Sequence, residues 1–424
     1  MKKLSIILFT IAALGFWGCS KTCTVNSTFR IYTPIYKSWG EIRNAFGSTQ
    51  PQLLKNIGNM VVMGDRLYLV EVDKGVHVID NANVGQPVVL AFITMPGCRQ
   101  LSVKGNTLFA DSYSDLLSID ASSPLQATLV KRDKDVYPMH QYEGGFADDP
   151  IKGAIVGWAE KDTSINVDCS QLQNNRIVQR NKSGQAQTFM TQSSSSNNST
   201  TTGGTAMKNE GPQAISSSFS RSATIGNYIY SLVNHQLYVF HQTAGLKTKI
   251  NLNNANIETI QAANGNLFMG SETGMSIYDC SNLENPKQAG TFQHVRSKDP
   301  VVVEGSNAFV TTRRHNGSGF NELSVVDITN IYAPRELANQ TLTGPYGLAV
   351  SSGNIYICDG DAGLRLYKFQ NAKLSKIRDI STTPVYDIIY YTNNLLVKGN
   401  DGLYYYNATQ KDNPQFAGKL LFAK

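Results

Sequence analysis

Six histidines, His77, His140, His235, His241, His294 and His315, come first, because an imidazole can move protons or hold a metal near neutral pH. No two flank a glutamate at the spacing that sets paired imidazoles on one helix face for zinc. No Ser-His-Asp or Cys-His order stands out, so no catalytic residue, metal or cofactor is expected. Asp359-Gly360-Asp361-Ala362-Gly363 offers the hard oxygens that calcium takes, yet the further ligands of a calcium loop are missing and the stretch falls where a hairpin turn recurs. No glycine-rich loop ending in Lys-Ser/Thr follows a strand, which removes a phosphate cradle. Cys23, Cys98, Cys169, Cys280 and Cys358 are widely and irregularly spaced and form neither a metal motif nor a disulfide framework. Cys98, Cys280 and Cys358 fall in or beside expected strands, where cysteine behaves as a small apolar residue.

The sixth cysteine has a different setting. Met1-Lys2-Lys3 is a short basic region, and Leu4 to Trp17 is apolar but for Ser5, Thr10 and Gly15, too short to span a bilayer. Gly18-Cys19 follows, a small residue and then the thiol to which a lipoprotein-processing system would transfer a diacylglyceryl group. The expectation is a signal peptide over 1–18, a lipid-attached tether and arm over 19–55, and a repeat domain over 56–424. With a net charge of +6 and basic residues scattered along the chain, there is no stripe for nucleic acid.

The elements that must position any site come from a repeat. A small polar turn followed by an alternating strand recurs at Asp65-Arg66-Leu67-Tyr68-Leu69, Asn106-Thr107-Leu108-Phe109, Asn227-Tyr228-Ile229-Tyr230, Asn266-Leu267-Phe268, Asn307-Ala308-Phe309-Val310, Asn354-Ile355-Tyr356-Ile357 and Asn394-Leu395-Leu396-Val397. Successive anchors lie 41, 121, 39, 41, 47 and 40 residues apart, blade-like spacings with one long insertion at about 131–221. Turns such as Asp73-Lys74-Gly75, Glu272-Thr273-Gly274 and Asp401-Gly402 supply glycine for a positive φ. Strands ending in Asp follow, as in Val76-His77-Val78-Ile79-Asp80 and Leu323-Ser324-Val325-Val326-Asp327. Polar loops closing on Pro87, Pro286, Pro334 or Pro414 lead into the outer strand. Four antiparallel strands per unit would leave two apolar faces in water. Radial stacking covers both, giving an all-β propeller of about seven four-stranded blades, with six to eight compatible with the long gap near the third blade. The arm suggests a strand over 28–36 and a short helix over 39–46. Ser193 to Gly204 has nothing apolar to bury and is expected to be a loop.

The Asp-ended strands, with Pro96-Gly97 before an inner strand, resemble the LVIVD-repeat propellers of lipoproteins from Bacteroidetes-type bacteria, over roughly Gln50 to Leu421. The resemblance implies a propeller on the bacterial envelope, outer membrane included, and carries no shared catalytic residues. In such a ring the inner strands and their loops line a funnel, which here brings forward Arg99, Thr259, Asp299, Tyr346 and Asp387. The loop carrying Arg313, Arg314 and His315 is a second contact candidate, for an envelope protein or an acidic glycan. The expected function is a non-enzymatic, membrane-anchored binding or scaffold module. The alternative is a glycan lyase or hydrolase working in the funnel, for which Asp299 and Asp387 would have to stand within about 10 Å of each other.

Overall fold

The computed structural model describes residues 24–168, 176–180, 186–190, 214–216, 220–252, 257–271, 274–293, 297–298, 300–314 and 320–423. Cys19, Asp299, His315 and the Ser193 to Gly204 stretch lie outside the described residues. The chain forms two compact units, one from residues 1–38 with 141–198 and the other from 39–140 with 199–424. In the first, Thr24–Lys37 pairs antiparallel with Ala154–Asp168 along its whole length, and Ala186–Met190 and Arg176–Arg180 extend the sheet. Arg30 crosses the pair to Asp162 at 2.8 Å and Glu160 at 3.1 Å. The expected arm strand is therefore present, and its partner is a strand of the insertion.

The second unit is a seven-bladed β-propeller, each blade four antiparallel strands. Blade 1 spans Ile57–Thr94, blade 2 Leu101–Asp133, blade 3 Ser222–Asn251, blade 4 Ile257–Gln293, blade 5 Val301–Thr341, blade 6 Leu348–Ser381 and blade 7 Val385–Leu421. Among the described residues the core is not one cluster but seven, and each is built from two neighbouring blades. The seventh joins Ile389, Leu396 and Tyr405 of blade 7 to Met60, Val62 and Leu67 of blade 1, so the stack closes on itself. This is the physical content of the repeat: a two-faced apolar sheet is stable only with a sheet on either side.

The recurring phrases turn out to be joints. The aromatic of the Leu-Tyr-Leu phrase is buried, and in three blades its hydroxyl donates to a carbonyl in the loop after the next blade's third strand: Tyr68 to Ala121 at 3.5 Å, Tyr230 to Leu283 at 2.7 Å and Tyr356 to Lys411 at 2.9 Å. The strand-ending carboxylate folds that same loop, with Asp80, Asp120, Asp279 and Asp327 each accepting the N–H two residues on at 2.7–2.9 Å. Asn407 does likewise in blade 7, at 3.0 Å. The hairpin glycines answer two demands at once. Gly75 and Gly274 have φ of 154° and 135°, and a Cβ there would sit 2.1 and 2.0 Å from a carbonyl oxygen of the outer strand, where no side chain fits.

Two additions were not legible in the repeat. Gly47–Thr49 extends blade 1 on its outer edge, following the short helix Trp39–Asn44. On the opposite edge Ala214–Ser216, the end of the insertion, pairs with Met63, Val62 and Val61 of blade 1's inner strand, and its backbone runs near the inner strands of blades 2 and 7. An inner strand turns its free edge toward the ring axis, so over these residues the channel carries the chain's own backbone.

Candidate functional site

Antiparallel alternation brings the starts of inner strands, the ends of second strands, the starts of third strands and the ends of outer strands to one face of the ring. All the described contact candidates but Thr259, on blade 4, fall in two sectors.

In the first sector, Asp111 at the end of blade 2's second strand accepts the N–H groups of Arg99 and Gln100, both at 2.7 Å. Burial pushes this carboxyl up to about 6, against the pull of those two N–H donors and the Arg99 charge. Arg99 itself forks onto Asp73 at 2.6 and 3.1 Å. Beside them Cys98 is fully buried, and burial with two carboxylates nearby drives its thiol far above the ordinary range, which removes it as a nucleophile. Gln100 Oε1 accepts the Arg221 N–H at 3.2 Å, which ties the entry of blade 3 to that of blade 2. The Arg221 guanidinium is lowered from its ordinary value by burial, with Glu258 and Asp111 opposing, and among the described residues its buried Nε has no hydrogen-bond partner.

The second sector spans blades 5, 6 and 7. Arg313, next to last in blade 5's second strand, lies 3.9 Å above the centre of the Tyr346 ring. Tyr346, just before blade 6's inner strand, meets Tyr386 of blade 7 edge-on at 4.8 Å and 86°. Asp359 is fully buried and accepts the Thr343 and Gly344 N–H groups at 3.1 and 2.7 Å and the Arg365 guanidinium at 2.5 Å. The tempting Asp-Gly-Asp stretch is thus a loop tie, and among the described residues no three metal-ligating side chains converge.

Asp387 is also buried, opposite Lys398 in the blade 7 ladder, with Oδ1 on the N–H of Ile388 at 2.9 Å. Lys398 reaches across to the Ile57 carbonyl of blade 1, and burial pushes its ammonium below the usual lysine range while Asp387 opposes. Thr259 is buried on blade 4's inner strand. Arg314 is exposed and donates its N–H to Asn321 Oδ1 at 2.9 Å. Sequence reasoning thus placed Tyr346 and Arg313 in separate sites that the structure makes one. It missed Asp111, Arg221 and Tyr386; Arg99 and Arg221 share a position just before an inner strand, which was the available signal.

One imidazole has a structural task. His77, fully buried in blade 1, has Nε2 2.8 Å from Glu71 Oε2 and its ring against Phe92 at 4.8 Å. Burial lowers its pKa, the Glu71 hydrogen bond and charge opposing. The unfolded chain therefore binds a proton that the folded one resists, so stability rises with pH in the window below about 6.5. Urea unfolding of the wild type should show a midpoint climbing from about pH 5 to about pH 7 and levelling above, a climb that His77→Gln flattens. A midpoint that is flat in the wild type, or that climbs equally in the variant, would contradict this role.

No family model matches the chain, and no curated protein matches it. Solved structures do. The chain is similar to the computationally designed Ika8 protein, at 9% identity and a TM-score of 0.47 over 88% of this chain and 89% of that one. It is also similar to BamB from Moraxella catarrhalis, at 9% identity and 0.43 over 87% and 97%. A third is the dihydro-heme d1 dehydrogenase NirN in complex with DHE, at 12% and 0.49 over 92% and 81%. At these values the likenesses add nothing to the strand topology above.

Proposed function

We propose that this chain is a lipid-anchored protein of the bacterial envelope, outer membrane included, whose propeller is a non-enzymatic binding or scaffold module of the LVIVD-repeat kind. The observation that carries the binding reading is the division of labour on the loop face. The described carboxylates Asp111 and Asp359 are committed to holding loops through backbone N–H groups, whereas Arg313 lies over the Tyr346 ring, which Tyr386 meets edge-on, and among the described residues its guanidinium is uncommitted. Such a face is suited to recognition more than to proton transfer. Support for the anchor is the order of basic residues, apolar run, Gly18 and Cys19. At about 0.8 kcal/mol per buried CH₂, two acyl chains would hold the protein at a membrane.

The test is metabolic labelling with a clickable fatty acid in a bacterial host. The wild type should carry the label and sediment with membranes, and Cys19→Ser should lose both. An unlabelled wild type, or a labelled Cys19→Ser, removes the anchor. Reproducible turnover of a glycan by the purified propeller would reverse the non-enzymatic assignment.

A further inference from the structure

The stack on blades 5 to 7 allows a ligand class to be named, an inference that rests on the binding reading above. We propose that Arg313, Tyr346 and Tyr386 form a recognition site for a carboxylate-bearing sugar, a uronic-acid unit of a glycan. A guanidinium held by its flat face on an aromatic ring keeps its N–H edge directed outward, in the planar fork that matches a carboxylate. Among the described residues the Arg313 guanidinium makes no hydrogen bond or ion pair; its contact is the ring of Tyr346.

The support beneath it is fixed. The Tyr346 N–H donates to the Cys358 carbonyl at 2.7 Å, and its carbonyl accepts the Thr311 hydroxyl at 2.8 Å. The Gly347 N–H donates to the Tyr386 carbonyl at 3.0 Å, which joins blade 6 to blade 7. Gly360, at φ +56°, leaves room for the Tyr346 ring, since a Cβ there would stand 3.1 Å from it. Arg313 is thus oriented before any ligand arrives, and little side-chain freedom remains to be lost on binding.

Charge count selects the ligand. The neighbouring cation Arg365 is tied to Asp359 at 2.5 Å and Asp379 at 3.3 Å. Arg314 follows Arg313 on a strand and so points to the opposite face. Among the described side chains one guanidinium is left, which suits a singly charged carboxylate better than a phosphate. Beside it the half-buried Tyr386 ring offers a flat apolar surface against which the C–H face of a pyranose can lie.

The purified full-length mature protein should be titrated calorimetrically with a galacturonate trisaccharide, the matching neutral galactose trisaccharide and a peptide with a free C-terminus. The galacturonate should bind. Arg313→Gln and Tyr386→Leu should each weaken it, the former by roughly tenfold to a hundredfold, the loss expected of one charge-assisted pair. Arg313→Gln alters an incompletely buried side chain, so its melting temperature should match the wild type and the loss will report the contact. Wild-type affinity in Arg313→Gln, silence with galacturonate at millimolar concentration, or tighter binding of the peptide or the neutral sugar would each overturn the assignment. Those outcomes leave the fatty-acid labelling result untouched, and loss of the label leaves these titrations untouched, so the two readings fail separately.

Discussion

Replacing Asp115 by alanine is expected to lower the stability of the propeller by about 3–5 kcal/mol, the cost of leaving a buried charge cluster without its counterion. Asp115 is 2% exposed. It receives a forked pair of bonds from Arg43, at 2.8 and 2.9 Å, and a third from Arg132 at 3.1 Å, while the Asp135 N–H donates to it at 3.0 Å. Arg43 belongs to the short helix Trp39–Asn44 and stacks over Trp39 at 5.5 Å, so this carboxylate is what docks the helix on blade 2. Burial alone would raise the Asp115 pKa; the hydrogen bonds from Arg43, the Asp135 N–H and Arg132, with the Arg43 charge, take it below the ordinary value. The folded state then holds fewer protons than the unfolded one at acid pH, so the contribution is present above about pH 4 and fades as pH falls. Chemical denaturation of wild type and Asp115→Ala at neutral and at acid pH checks both parts. A difference below about 1 kcal/mol at neutral pH, or one that grows on acidification, would show that the cluster is not what fastens the helix.

How much of this was legible differs by element. The blade phrases were, because radial stacking leaves a periodic trace: the buried aromatic at Tyr68, Phe109, Tyr230, Phe268, Phe309 and Tyr356, and the carboxylate that turns the next loop. Their mechanism was only half visible, since a sequence shows that Tyr230 is aromatic but not that its hydroxyl finds Leu283 in the neighbouring blade. The channel strand Ala214–Ser216 was hidden because three residues are too few to show the alternation that marks a strand. The site was legible as residue types and not as a set. Arg313 and Tyr346 are 33 positions apart in sequence and belong to different blades, and only the ring brings them together. Asp359 and Asp387 look like chemistry in a sequence because a carboxylate carries no sign of whether it serves a ligand or a loop. Here both lie buried, and Asp359 is bonded to the backbone it folds.

The seam between blades 7 and 1 yields the second large effect. In the described structure no strand is shared between the two ends of the ring, so closure falls to side chains and a few backbone bonds, such as the Ala423 N–H on the Leu54 carbonyl at 2.9 Å. Blade 7 has Leu396 where blades 1, 3 and 6 carry the stapling tyrosine. Tyr405, on its third strand, takes over: the ring is fully buried among residues of both blades, and its hydroxyl meets Asn81 Oδ1 of blade 1 at 3.1 Å. Tyr405→Ala should therefore cost about 3–5 kcal/mol, as deletion of a buried aromatic does. Tyr405→Phe, which keeps the ring but leaves buried Asn81 short of a partner, should cost about 1–3 kcal/mol. Location distinguishes a seam defect from general weakening. Hydrogen exchange in Tyr405→Ala should quicken first in Ile57–Met63 and Val385–Tyr391, with blades 3 and 4 still protected at that stage, because each sheet is held by its two neighbours and a broken ring opens from the break. Uniform loss of protection across all blades would mean that the ring unfolds as one body and that Tyr405 is core like any other. No loss at all would mean that the backbone bonds close it alone.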